Sequence, residues 1–139
     1  MKDRVSSIVQ RFSINPKRLF LIDSLGALLT AFLIVAMLMR YTAFFGMPQQ
    51  PLFVLAAIAF IYTIYSICCY FFIGNRWQAY LKLIAFANLL YCCVTIAFVI
   101  YFYSSVTIFG LIYFSVELIV IGCIAAIELL TASHSTANQ

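Results

Sequence analysis

The segment that most constrains this chain is residues 108–130, which is almost wholly apolar yet carries Glu117 near its middle. A hydrocarbon core about 30 Å thick is crossed by a helix of about 20 apolar residues, so this segment is long enough to span a bilayer. A carboxyl group at that depth costs a few kcal/mol and usually faces other helices or a water-filled cavity. We therefore expect the rest of the chain to shield Glu117 from lipid.

The composition excludes a soluble fold. Of the 139 residues, 66% are hydrophobic and only 9% are charged, whereas a soluble domain has roughly half apolar and a quarter charged residues. The length predicts a single domain. The net charge of +4 comes from eight Lys and Arg residues against four acids, which is too small an excess to indicate a nucleic-acid partner.

The predicted fold class is all-α: a polytopic membrane protein built as an antiparallel bundle of four transmembrane helices. Asn15 and Pro16 are typical of an N-cap followed by proline at the first helical position. Gly46 and Pro48 indicate the first loop, and the short polar turn at residues 74–77 predicts that the second and third helices form an antiparallel hairpin. The predicted helices cover residues 16–39, 52–73, 78–102 and 107–130.

The two ends of the chain are predicted to lie outside the bilayer. In residues 1–15, Val5, Ile8, Val9 and Phe12 share one helical face, which is typical of a short amphipathic helix on the membrane surface. A disordered tail is the alternative for this segment. Residues 131–139 are expected to form a short polar tail.

The distribution of basic residues predicts the orientation, because cytoplasmic segments carry an excess of Lys and Arg. With the N terminus in the cytoplasm, only Arg40 lies on the outer side. We expect a bacterial-type inner membrane protein with both termini cytoplasmic and with anionic lipids at its basic inner face. The basic residues on or near that face are Lys2, Arg4, Arg11, Lys17, Arg18, Arg76 and Lys82.

Each predicted span carries one stripe of small or polar residues, and such stripes normally face neighbouring helices. Depth counted at about 1.5 Å per residue places several of these residues near the bilayer centre. They predict a buried polar cluster in which Glu117 is hydrogen-bonded by Asn88 and by one or more hydroxyl groups. The candidate hydroxyl donors are Tyr62, Tyr65, Tyr91 and Thr30.

The role of Glu117 has two interpretations. Burial disfavours the charged form of a carboxyl group, so Glu117 could take up and release a proton in a transport cavity. The alternative is a neutral glutamate that holds the helices together through hydrogen bonds. A single acid at its level does not specify a proton relay, and the sequence leaves both interpretations open.

A second group of charged residues is predicted nearer the cytoplasm. Asp23, Glu128, Arg76 and Lys82 are expected at similar depth, where they could form ion pairs across the inner end of the bundle. Such pairs near an interface contribute little individually. The alternative is that each charge reaches water separately along its own side chain.

Several kinds of active site are not indicated. The five cysteines lie in apolar segments, where they are expected to pack as small hydrophobic residues without forming disulfides. The single histidine, His134, lies in the polar tail, so no metal site and no haem ligation are expected within the membrane. No phosphate-binding loop or nucleophile motif is present, and no cofactor is expected.

These features lead to three functional hypotheses. The first is a noncatalytic membrane subunit or scaffold that self-associates or binds a larger membrane partner. The alternative is a small transporter or channel with Glu117 as its protonatable site. A membrane-embedded enzyme is the third hypothesis, weakened by the missing ligands and nucleophiles.

Overall fold

The protein is all-α. The computed structural model describes residues 1–72 and 74–137, and within these residues it contains no β-strand. There are six helices in the described part of the chain, four of them long. They are α1 (Lys2–Ile14), α2 (Pro16–Leu33), α3 (Thr42–Phe45), α4 (Gln49–Phe72), α5 (Trp77–Tyr101) and α6 (Ile108–Ala137).

Four helices are long and apolar enough to cross a membrane, with mean hydropathies of 2.3 to 2.4. The protein is therefore a small multi-pass integral membrane protein, as the sequence predicted. The predicted end of the second helix, Ile73, lies outside the described residues. The four spans are Pro16–Leu38, Gln49–Phe72, Trp77–Tyr101 and Ile108–His134.

The segments expected outside the bilayer are helical. The N-terminal segment forms α1, which packs against α6 and α2 and buries Val9. At the other end, α6 continues through the predicted tail, whose last two residues lie outside the described part. The hydroxyl groups of Thr131 and Ser133 donate to carbonyl oxygens one turn earlier in this helix. Because no glycine or proline interrupts residues 131–137, nothing ends the helix at residue 130.

The long helices pack mainly as two pairs, α2 with α4 and α5 with α6. Only four residues of the sequence separate the end of α4 from the start of α5, and so short a connection makes the two helices antiparallel neighbours. Contact between α4 and α5 is nevertheless much less extensive than contact within each pair. The bundle is thus two helix pairs that face each other.

The pairs enclose two apolar cores, one toward each end of the bundle. The core near the chain termini contains Leu19, Phe20, Leu81 and Ile84. The opposite core is larger and includes Ile34, Leu38, Leu52, Leu55 and Phe114. Buried polar residues are concentrated between these cores, which places the polar side chains inside the bundle and away from lipid.

The connection between α2 and α4 packs against the start of α6. The first span ends in a π-helical turn, Ile34–Leu38, in which the Met39 N–H donates to the Ile34 carbonyl at 2.8 Å. Helix α3 then docks on the start of α6, where the Thr107 N–H donates to the Phe45 carbonyl at 3.1 Å. Gly46 ends α3 with a φ of 76°, in the left-handed region that favours glycine.

We predict that Gly46→Ala lowers the free energy of unfolding by at least about 1–3 kcal/mol, the usual cost of a left-handed backbone at a residue other than glycine. A Cβ atom there would also overlap the backbone carbonyl of Ser105. The measurement is the thermal unfolding midpoint of the purified protein in detergent. Gly74→Ala is the matched control, because a Cβ there meets no atom within 4 Å. Equal midpoints for the two variants would contradict the prediction.

Candidate functional site

Each of the four long helices contributes one residue to a buried group that we call the four-helix cluster. It consists of Asp23 from α2, Ser66 from α4, Asn88 from α5 and Glu128 from α6. Asp23 and Asn88 are only 4% and 6% exposed, and Ser66 and Glu128 are fully buried. The cluster therefore joins the two helix pairs through side chains alone.

Asn88 is the centre of the four-helix cluster. Its Nδ2 atom donates to Asp23 Oδ1 at 2.7 Å and to Glu128 Oε2 at 3.2 Å. The Ser66 hydroxyl donates to the other oxygen of Asp23. One side-chain amide thus bridges two carboxyl groups from opposite ends of the sequence.

Other buried hydroxyl groups in the same region do not join the cluster. Thr63 Oγ1 donates to the Ala59 carbonyl at 2.9 Å, and Thr131 Oγ1 donates to the Ile127 carbonyl at 2.7 Å. Threonine commonly satisfies its hydroxyl in this way, by bonding to the carbonyl one turn earlier in its own helix. The cluster consequently depends on side chains that have no such local partner.

Glu128 is the least satisfied member of the cluster. Its Oε1 atom is buried and has no hydrogen-bond partner. A buried acceptor without a partner costs about 1–3 kcal/mol, and more when it is charged. A proton or another small cation at this oxygen would remove that cost.

The expected ion pairs with Arg76 and Lys82 do not form in the described part of the chain. Asp23 and Glu128 are bonded to Asn88 instead, while Arg76 is exposed and Lys82 is half-buried. A buried acid is satisfied by a donor that is buried beside it, and Asn88 of α5 is that donor for both acids. With α6 extending to residue 137, Glu128 lies more than two turns inside that helix.

Glu117 lies in a second polar contact, further along α6. The Tyr91 hydroxyl donates to Glu117 Oε1 at 3.1 Å, and Glu117 Oε2 is buried without a partner. Asn88, which the sequence analysis assigned to Glu117, gives its amide to Asp23 and Glu128. Asn88 and Tyr91 do share a face of α5, but they lie nearly one turn apart and reach different acids.

A cavity adjoins both of these polar contacts. Its volume is about 50 Å³, which is room for about one or two water molecules. Asp23 and Asn88 line it from the four-helix cluster, and Tyr91 lines it from the Glu117 side. Two further predicted residues, Thr30 and Tyr62, also line this cavity.

Tyr65 is the one predicted hydroxyl donor that lies elsewhere. It borders a separate pocket with Cys68, Cys69, Phe72 and Tyr80, and its hydroxyl is buried without a hydrogen-bond partner. Ser66, by contrast, belongs to the cluster although the sequence analysis did not select it. It shares a face of α4 with Tyr62, and that shared face was the available signal.

The chemistry of the site is that of oxygen ligands. Within the described residues, no group of three or more His, Cys, Asp or Glu side chains could hold a metal ion. The described Lys and Arg side chains include none that is buried. The negative charge of the acids therefore has no basic partner in this part of the chain, and a proton is the simplest species that can balance it.

Comparison of the chain with protein-family models, with curated proteins and with solved structures finds no match.

We predict that Asn88→Ala lowers the free energy of unfolding by at least about 1 kcal/mol, because it leaves the Asp23 and Glu128 carboxyl groups without their shared donor. Thermal unfolding in detergent measures the effect. Asn75→Ala is the matched control, since Asn75 is exposed in the turn between α4 and α5. An unchanged midpoint for Asn88→Ala would show that the bridge does not stabilise the bundle.

Proposed function

We propose that this protein is a small proton-linked transporter or channel whose proton-binding site is the four-helix cluster. The observation that carries the proposal is the sharing of one Asn88 amide by Asp23 and Glu128 in the bundle interior. The proposal follows the transporter hypothesis of the sequence analysis, but it assigns the primary site to these two acids. Glu117 is a second acid at a different depth.

Electrostatics supports this assignment. Two carboxylates that contact the same nitrogen are close neighbours, and in an interior of low dielectric constant they cannot both keep their charge without a cation. None of the described basic side chains is buried beside them. A proton held by one of the acids resolves the repulsion, and the adjoining cavity offers water through which that proton can leave.

The unpartnered oxygen of Glu128 distinguishes this proposal from a purely structural role. A network that only joins helices is most stable when every buried polar atom is satisfied. Glu128 Oε1 and Glu117 Oε2 are both buried without partners. Oxygen atoms left in this condition are suited to a ligand that comes and goes.

The proposal includes the orientation derived from the basic residues, with both termini in the cytoplasm of a bacterial-type cell. Packing of α1 against α6 supports placing the two ends of the chain on one side of the membrane. Arg4, Arg11, Lys17 and Arg18 are exposed at that end. They would contact anionic lipid headgroups there.

We predict that infrared spectra of the protein in lipid vesicles contain a protonated-carboxyl C=O band near neutral pH. The band should weaken in Asp23→Asn and in Glu128→Gln, because each change removes one of the two carboxyl groups that share the proton of the cluster. Asp3→Asn is the matched control, since it removes the one exposed carboxyl side chain among the four acids. We expect it to leave the band unchanged.

The infrared measurement also supplies the contradicting result. A wild-type spectrum without a protonated-carboxyl band around neutral pH would mean that the cluster holds no proton, and the proposal would be wrong. A band whose intensity is unchanged in both cluster variants would assign the proton to another group, such as Glu117, and would be equally contrary.

Self-association, from the first hypothesis of the sequence analysis, is supported by one surface of α6. Gly122 and Ala126 lie four residues apart on this helix, and a Cβ added to Gly122 meets no atom within 4 Å. Paired small residues at this spacing let two membrane helices approach closely. We propose this surface as a contact between two copies of the chain.

We predict that Gly122→Leu weakens dimerisation in lipid bilayers at least about tenfold by separating the two helix backbones, a loss of about 1.4 kcal/mol. Energy transfer between labelled copies at increasing dilution in lipid measures the effect. Ala97→Leu adds similar bulk to an exposed position of α5 and serves as the control. A wild-type chain that stays monomeric at high protein-to-lipid ratio would exclude this contact.

A further inference from the structure

We infer that the Tyr91 hydroxyl passes protons between the four-helix cluster and Glu117, so that the bundle holds two proton-binding stations joined by one cavity. The inference rests on the proposed function, because it takes the cluster as the first station. What it adds is the second station and the route between them.

The geometry places Tyr91 between the two stations. Its side chain is 2% exposed and lines the cavity that Asp23 and Asn88 also line. Its hydroxyl donates to Glu117 Oε1 at 3.1 Å. A phenol can accept a hydrogen bond while it donates one, so Tyr91 can receive a proton from cavity water and pass its own proton to Glu117.

The two stations lie at different depths. Glu117 and Glu128 are eleven residues apart on α6, which corresponds to roughly 16 Å along the helix axis, or about half of the hydrocarbon thickness. A proton that moves from the cluster to Glu117 therefore moves across the membrane and not along it. This displacement is what distinguishes a transport route from a local hydrogen-bond network.

The transfer balances without any reactant other than water. With Glu117 initially a carboxylate, a protonated Asp23, which lines the cavity, gives its proton to water there and becomes a carboxylate. That water gives a proton to the Tyr91 oxygen while the original phenol proton moves to the Glu117 carboxylate. The products are a charged acid in the cluster and a neutral Glu117, and rotation of the Tyr91 hydroxyl prepares the next transfer.

The other titratable groups near the two stations are few in the described part of the chain. Tyr113, one turn before Glu117 on α6, and Cys92, beside Tyr91 on α5, lie close enough to Glu117 to be affected by its charge. Cys69 of α4 is the corresponding neighbour of Asp23. None of these groups is basic, and the hydroxyl that donates to Glu117 is that of Tyr91.

The test is proton flux into vesicles that contain the purified full-length chain. A potassium gradient with valinomycin makes the interior negative, and an enclosed pH-sensitive dye reports acidification. We expect wild-type vesicles to acidify faster than protein-free vesicles. Tyr91→Phe and Glu117→Gln should each lower the protein-dependent rate at least about tenfold, since each removes one proton-transfer group.

Tyr70→Phe is the control, because it removes a hydroxyl from a partly buried tyrosine in the apolar core near the chain termini. We expect this variant to conduct like the wild type. Each variant is compared with the wild type by thermal unfolding. If Tyr91→Phe does not fold, Glu117→Gln tests the route alone, because it keeps the shape of the side chain and removes only its ability to accept the proton.

Two results would overturn the relay. In the first, Tyr91→Phe and Glu117→Gln conduct protons as fast as the unmodified protein, while Asp23→Asn or Glu128→Gln abolishes the flux. In the second, vesicles with the unmodified protein acidify no faster than protein-free vesicles. Neither result affects the protonated-carboxyl band of the cluster. The infrared experiment therefore tests proton binding by the cluster separately from the relay, whereas the absence of protein-dependent flux would also contradict proton transport.

Discussion

The structure depends on the need to bury carboxyl groups in a medium that cannot solvate them. Asn88 meets this need by giving both of its amide hydrogens to acids, one to Asp23 and one to Glu128. Ser66 completes the arrangement by donating to Asp23. Because these four residues come from four different helices, the same bonds that satisfy the acids also hold the two helix pairs in one relative position. Apolar packing in a membrane is weakly directional, so this polar layer sets the register of the bundle.

The surrounding structure protects the polar layer. An apolar core lies on either side of it, and α1 packs across the end of α6 beneath the core that contains Leu19 and Phe20. At the opposite end, α3 and the left-handed Gly46 close the connection between α2 and α4 against α6. The cavity beside the cluster, with a volume of about 50 Å³, is large enough for water and too small for a sizeable solute. Within this cavity, a single copy of the chain therefore has room to bind and pass a proton, but it has no room for an organic substrate.

Among the described side chains, three acids lie without a buried basic partner, and this links the architecture to the proposed activity. Asp23 and Glu128 form one level and Glu117 forms another, with Tyr91 and the cavity between them. A protein that only needed cohesion could have used neutral amides or hydroxyl groups at these positions with fewer unsatisfied atoms. Oxygens of Glu117 and Glu128 remain unpartnered, and this is the feature that a transient proton explains.

Hydrophobicity and helix signals in the sequence were sufficient to predict an all-α membrane protein with four spans, because a bilayer requires long apolar helices and Pro and Gly mark their ends. The helical stripes also identified Asn88, Tyr91, Glu117, Thr30 and Tyr62 as inward-facing residues. Which acid each donor reaches was decided only in the tertiary structure. A depth counted at about 1.5 Å per residue is too coarse to choose between donors one turn apart on one face, such as Asn88, which bonds to Glu128, and Tyr91, which bonds to Glu117. A hydrogen bond requires its two atoms to lie within about 3 Å of each other. Positions are fixed this closely by the packing of one helix against another, and the periodicity of a sequence contains no information about that packing.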